Sequence, residues 1–184
     1  MKYEGFTIGQ KFCSADFFLS YDQMYEFAKM YDPQPMHLDA ELASASEFGG
    51  LIASGYMSLA LGWKLWIECG FQDTHGKGGI AISEAKWHAP LYPDTTLHAE
   101  TTIADLRVSS KGKGIITFDI ALLDDKDQLL TTFRVVGLVE SSKPTPITRP
   151  LIRPYRRFTI CAASLLSSKI CLRVIFCPGA LTTV

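Results

Sequence analysis

The sequence predicts an α+β fold in which one antiparallel sheet curves around a single hydrophobic helix. Three observations predict it. Residues 55–68 have helix length and are apolar nearly all the way round. Strand-like runs joined by short turn sequences follow that segment, and amphipathic helical segments precede it.

The apolar segment sets the architecture. Ser54 is an N-cap residue, and Tyr56, Met57, Leu59, Ala60, Leu61, Trp63, Leu65, Trp66 and Ile67 follow, with only Ser58, Lys64 and Glu68 strongly polar. A helix apolar on all sides is either buried or spans a membrane. At about fourteen residues it falls short of the roughly 20 that a span needs. Gly62 in its middle costs about 1 kcal/mol relative to alanine, which a close backbone approach explains. Other elements must therefore wrap this helix.

An early strand is expected near Lys11–Leu19. Ser20-Tyr21-Asp22-Gln23 has capping-box form, and Met24, Phe27, Ala28 and Tyr31 recur at helical spacing as one apolar face. Pro33 ends that helix and biases Asp32 away from helical dihedrals. Asp39 caps a short helix from Ala40 to about Ser46, which Gly49-Gly50 breaks. Four strands are expected near residues 79–87, 95–108, 114–123 and 129–139. Ile116, Phe118, Ile120 and Leu122 alternate with Thr117, Asp119 and Ala121, a period of two. Ser109-Ser110-Lys111-Gly112 and Asp124-Asp125-Lys126-Asp127 supply turn chemistry between strands. Gly76-Lys77-Gly78-Gly79 lacks the GxxxxGK[ST] frame of a phosphate loop and reads as a turn. A curved sheet around one hydrophobic helix is the hot-dog arrangement.

Composition limits the function classes. The chain has 184 residues, 47% hydrophobic and 20% charged, with a net charge of −1. That is globular composition with no global pull towards nucleic acid or anionic lipid. The N-terminal residues lack the apolar core of a signal peptide. The five cysteines (Cys13, Cys69, Cys161, Cys171 and Cys177) show no CxxC spacing, which suits reduced thiols and a cytoplasmic protein. No acidic residue follows Glu140, and Arg149, Arg153, Arg156 and Arg157 cluster beyond it. The expected division is a domain at 1–143 and a basic, apolar extension at 144–184, poorly ordered or peripheral to the fold.

Asp32-Pro33-Gln34-Pro35-Met36-His37 places an acid and an imidazole five residues apart on what reads as a proline-stiffened loop. Prolines lower the entropy lost when such a loop is ordered, and a carboxylate beside an imidazole is a plausible acid–base pair near neutral pH. Spacing alone is a weak signal for this chemistry. His75, His88 and His98 read as structural, no metal-ligand spacing is present, and Lys77, Lys86, Lys111 and Lys113 read as solvated surface.

Two stretches extend the pattern. Tyr31-Asp32-Pro33-Gln34-Pro35-Met36-His37-Leu38-Asp39 and Phe48-Gly49-Gly50-Leu51-Ile52-Ala53-Ser54-Gly55 together resemble the MaoC-like dehydratase family, which includes (R)-specific enoyl-CoA hydratases. Residues 87–97 are similar to a later strand-start motif of that family, so the resemblance covers about residues 6–140. It implies a hydro-lyase acting on enoyl-CoA or a related acyl thioester. Asp32 is then the main base and His37 its partner and proton donor. The Gly55 N–H polarises the thioester carbonyl, and Gln34 and Pro35 support the loop. It implies no metal or redox cofactor, with coenzyme A entering only as part of the substrate, and it implies a homodimer. Gln34 stands where the family's hydratases usually carry asparagine. Trp63 stands where some carry a small polar residue, and an indole there would shorten or fill the acyl tunnel, although Trp63 and Trp66 read first as core residues. Rival readings are a non-catalytic acyl-CoA-binding module and a thioesterase on the same fold.

Overall fold

The structure is a computed structural model that describes residues 2–71 and 76–142. The proposed extension at 144–184, His75 and the three C-terminal cysteines lie outside the described residues.

A short 3₁₀ turn leads into β1 (Lys11–Cys13) and β2 (Phe17–Leu19). These are the expected early strand, split in two. Ser14 interrupts it by taking both backbone groups of Ala99, one through its own N–H (2.9 Å) and one through its side-chain oxygen (2.9 Å). Helix α1 (Tyr21–Tyr31) starts at the Ser20–Gln23 capping box, with both reciprocal bonds formed. Met24 and Ala28 are fully buried. Tyr31, expected on the same face, is 66% exposed and rests on the Phe27 ring instead.

The Asp32–His37 stretch is not simply a loop, because Pro35 opens a helical turn, α2 (Pro35–Leu38). Proline is favoured at a first helical position, where its missing N–H has no intrahelical partner to lose. The turn fixes His37 more firmly than stiffened coil does. Asp39 then caps α3 (Ala40–Ser44), its carboxylate accepting from the backbone N–H groups of Glu41 and Leu42.

Helix α4 (Gly55–Trp66) continues into one π-helical turn, Ile67–Phe71. Tyr56, Ala60 and Lys64 form its single exposed stripe, at i, i+4 and i+8. Every other residue of α4 is buried or half-buried. An alanine Cβ at Gly62 would lie 2.8 Å from the Phe133 ring, so the glycine lets the helix axis settle against the sheet.

The sheet comprises β1, β2, β3 (Gly76–Trp87), β4 (Thr95–Val108), β5 (Gly114–Asp124) and β6 (Leu129–Val139). All pairings are antiparallel, in the order β1-β4-β5-β6-β3, with β2 also on β4. Inward residues of β4, β5 and β6 alternate as the period of two requires. Leu97, Leu122 and Leu130 meet Met57, Leu61 and Leu65 of α4 in one core cluster, and Ile103, Phe118 and Phe133 meet Trp66 in a second. Residues 76–79 are strand, not the expected turn. They pair with β6 through register shifts, one of them at Gly78, whose φ of 133° only glycine adopts readily.

Candidate active site

Three chain segments converge at the N-terminal end of α4. They are the α1–α2 corner with Asp32 and Gln34, α2 with His37, and the Leu51–Gly55 stretch that runs into α4. The last is anchored on both sides, with Ile52 N donating to the Met36 carbonyl (3.3 Å) and Ala53 N to the Leu91 carbonyl (2.7 Å). Together with the segment after β3 they line a cavity of about 510 Å³ that includes Asp32, His37, Gly55, Ser58, Trp87 and Thr131.

His37 is buried, and its Nδ1 lies 2.8 Å from the Ile52 carbonyl oxygen. A carbonyl only accepts, so Nδ1 carries the proton and Nε2 is the nitrogen presented to the site. Nε2 lies 3.4 Å from Asp32 Oδ2. That carboxylate is 12% exposed, and both its oxygens are engaged. Gln34 Nε2 donates to Oδ1 at 2.7 Å, and Ser54 Oγ donates to Oδ2 at 2.6 Å. The Ser54 hydroxyl, then the Gln34 amide, then the nearby imidazole hold the Asp32 carboxyl below its ordinary range, with burial opposing them.

Gly55 is the first residue of α4, where a helix leaves its N–H without an intrahelical partner and the dipole is positive. The Trp87 indole sits on it so closely that a Cβ would lie 2.8 Å from the ring. Trp87 Nε1 donates to the Gly55 carbonyl and to Ser58 Oγ, each at 3.1 Å. Ser58 in turn donates to the Gly55 carbonyl at 2.8 Å and accepts from Thr131 Oγ1 at 3.1 Å. This network closes one wall of the cavity.

The structure brings Asp32, Gln34, His37 and Gly55 to one cavity, with Pro35 starting the turn that carries His37. Trp63 does not line that cavity. It packs edge-on to Phe118 beside a smaller cavity formed with Gly76, Gly78, Gly79, Gly137 and Leu138, because residue 63 falls on a different side of α4 from residues 55 and 58. Sequence reasoning took Ser54 only as a helix cap and gave no role to Ser58, Trp87 or Thr131. No local pattern marks the last three, which meet only when β3 and β6 close on α4. Among the described residues no cluster of His, Cys, Asp and Glu has the makings of a metal site.

Fold and site together define a hot-dog domain with an acid–imidazole pair at the start of its central helix. The chain belongs to the MaoC-like domain family, whose model matches residues 5–121. A curated relative, YdeM of Bacillus subtilis strain 168, is described as uncharacterized. It is 37% identical over 127 residues, which cover 69% of this chain and 90% of the relative. A MaoC-like dehydratase from Rhodospirillum rubrum is 30% identical with a TM-score of 0.66, over 77% of this chain and 99% of its own. The (R)-hydratase from A. caviae involved in PHA biosynthesis is 23% identical with a TM-score of 0.60, over 73% and 97%. That last likeness shows the fold alone.

Proposed function

We propose that this protein is a hydro-lyase that adds water to a trans-2-enoyl thioester of coenzyme A, or removes it in the reverse direction. The observation that carries the reading is the separation of 3.4 Å between Asp32 Oδ2 and His37 Nε2, on a cavity that Gly55, the first residue of α4, also lines. Membership of the MaoC-like family and the 30% identity to a MaoC-like dehydratase support it.

In this reading the Asp32 carboxylate orients a water and takes one of its protons as the oxygen bonds to C3 of the enoyl group. Electron density moves to the thioester oxygen, where the Gly55 N–H and the dipole of α4 stabilise the enolate. His37 Nε2 takes that proton from Asp32 and passes it to C2, which leaves both side chains as they began. Asp32 suits the first step because it is ionised at rest, and its low proton affinity favours the transfer to Nε2. The reading includes a homodimer, supported by β3, which among the described residues pairs only with β6. No metal or redox cofactor has a step in it.

Loss of enoyl-thioester absorbance with crotonyl-CoA and longer enoyl-CoAs tests the proposal. Turnover by the wild type and its loss in Asp32→Asn supports it. Acyl-CoA binding without turnover at any chain length overturns it in favour of a binding module, and release of free thiol identifies a thioesterase.

A further inference from the structure

We propose that Ser54 is a positioning residue of this site, whose hydroxyl holds the Asp32 carboxylate off His37 and ties it to the first turn of α4. The proposal rests on the hydration reading above.

Ser54 is fully buried. As the cap of α4 it needs only to accept the Tyr56 N–H, which it does at 3.2 Å. Capping leaves the hydroxyl proton to be placed, and it points at Asp32 Oδ2 across 2.6 Å, the length of a charge-assisted O–H···O⁻ bond. His37 Nε2 approaches the same oxygen only to 3.4 Å, outside the roughly 2.7–2.9 Å of a direct charge-assisted N–H···O bond. Each partner has its own anchor, Ser54 for the carboxylate and the Ile52 carbonyl for the imidazole. The pair is thereby kept from closing into a direct ion pair that would leave neither group available to a water. Ser54 also precedes Gly55 in the chain. One peptide unit therefore separates the group that holds the base from the N–H offered to the thioester oxygen, and the two ends of the reacting unit share one rigid support.

The Ser54 hydroxyl is also the largest influence lowering the Asp32 carboxyl below its ordinary range. The other titratable groups lining the cavity are His37 from α2, Tyr56 from α4 and His88 from the segment after β3.

The test compares the full-length wild type with Ser54→Ala, Ser54→Gly and Ser54→Thr. The Asp32 carboxyl titration is followed by carbon-13 NMR, and kcat and KM are measured against pH. Glycine caps a helix nearly as well as threonine but has no hydroxyl, so it separates the clamp from the cap even if Ser54→Ala fails to fold. In Ser54→Ala and Ser54→Gly we expect Asp32 to titrate at higher pH and the acid limb of kcat to move up with it. We expect kcat to fall roughly 10- to 100-fold, the range that a hydrogen bond to a charged group supplies, with KM little changed. Ser54→Thr should keep the low titration. An unshifted Asp32 titration in the alanine and glycine variants overturns the proposal. Failure of the hydration reading looks different, with no turnover by the wild type while the Asp32 titration still responds to Ser54.

Discussion

Asp32 concentrates the electrostatics of the site in one side chain. Its carboxyl sits below the ordinary 3.8 because the Ser54 hydroxyl and Gln34 amide favour its charged form. A lowered folded-state value means stability that is present above the ordinary value and is lost as pH falls through the folded value. Asp32→Asn should therefore flatten the loss of stability as pH falls below the ordinary carboxylate value, which urea midpoints measured down an acid series would show. The same variant should lower kcat by about 10²–10⁴-fold while leaving the circular dichroism unchanged. Gly55 carries a different kind of constraint. Alanine there puts a methyl 2.8 Å from the Trp87 indole, so Gly55→Ala should push the ring out of its hydrogen bonds to Gly55 and Ser58. A changed Trp87 fluorescence together with lost turnover is the expected result. Unchanged fluorescence would mean that the ring is not seated as described.

For helix α4, propensity and packing pull in opposite directions. Replacing Gly62 by alanine gains about 1 kcal/mol of helix propensity. The new methyl meets the Phe133 ring at 2.8 Å, and overpacking of this kind typically costs about 1–3 kcal/mol. Packing should win, so thermal unfolding of Gly62→Ala is expected below that of the wild type. Pairing with Phe133→Leu, which frees space at the contact, should recover part of the loss. The helix is also the element that the sequence described most directly. Its cap, its start at Gly55 and its burial are all present. Its end differs, because residues 67–71 continue it as a π-helical turn. The α1–α2 corner was legible in its residue types but not in its shape. Pro35 starts a helical turn of only four residues, and so short a helix has too few residues to show a period.

At the scale of the whole molecule, β3 is an edge strand among the described residues. It pairs with β6 on one side, and Ile80 and Ile82 are 52% and 63% exposed. A long apolar edge strand invites pairing with another chain, and in the proposed homodimer a second copy of β3 covers it. Light scattering should give twice the chain mass for the wild type. Ile82→Lys, a charge placed on that edge, should shift the population to monomer. A wild-type monomer at micromolar concentration would remove the dimer from the reading. Arg134 binds this side of the sheet together from outside, donating to both oxygens of Asp119 on β5 (2.6 and 2.9 Å) and to Glu84 on β3 (2.8 Å). Among the described residues, no helix is long and apolar enough to cross a membrane.

Local and periodic signals in the sequence determined the hot-dog architecture. Period-two runs gave β4, β5 and β6, an all-round apolar segment gave a helix that had to be wrapped, and capping chemistry placed the starts of α1, α3 and α4. The spacing of Asp32 and His37 is by itself a weak signal, and it is the resemblance to the MaoC-like family that points to Asp32, His37 and Gly55 together. Tertiary structure decided what distance along the chain hides. It assigned residues 76–79 to an edge strand, because their backbone groups find partners on β6, more than fifty residues away. It moved Trp63 away from the cavity and seated Trp87 on Gly55, across 32 residues. It also turned Ser54 from a helix cap into a donor to a carboxylate 22 residues earlier. Caps and periods are written in neighbours, whereas the length of a hydrogen bond between distant side chains is fixed only when the packed elements bring them together.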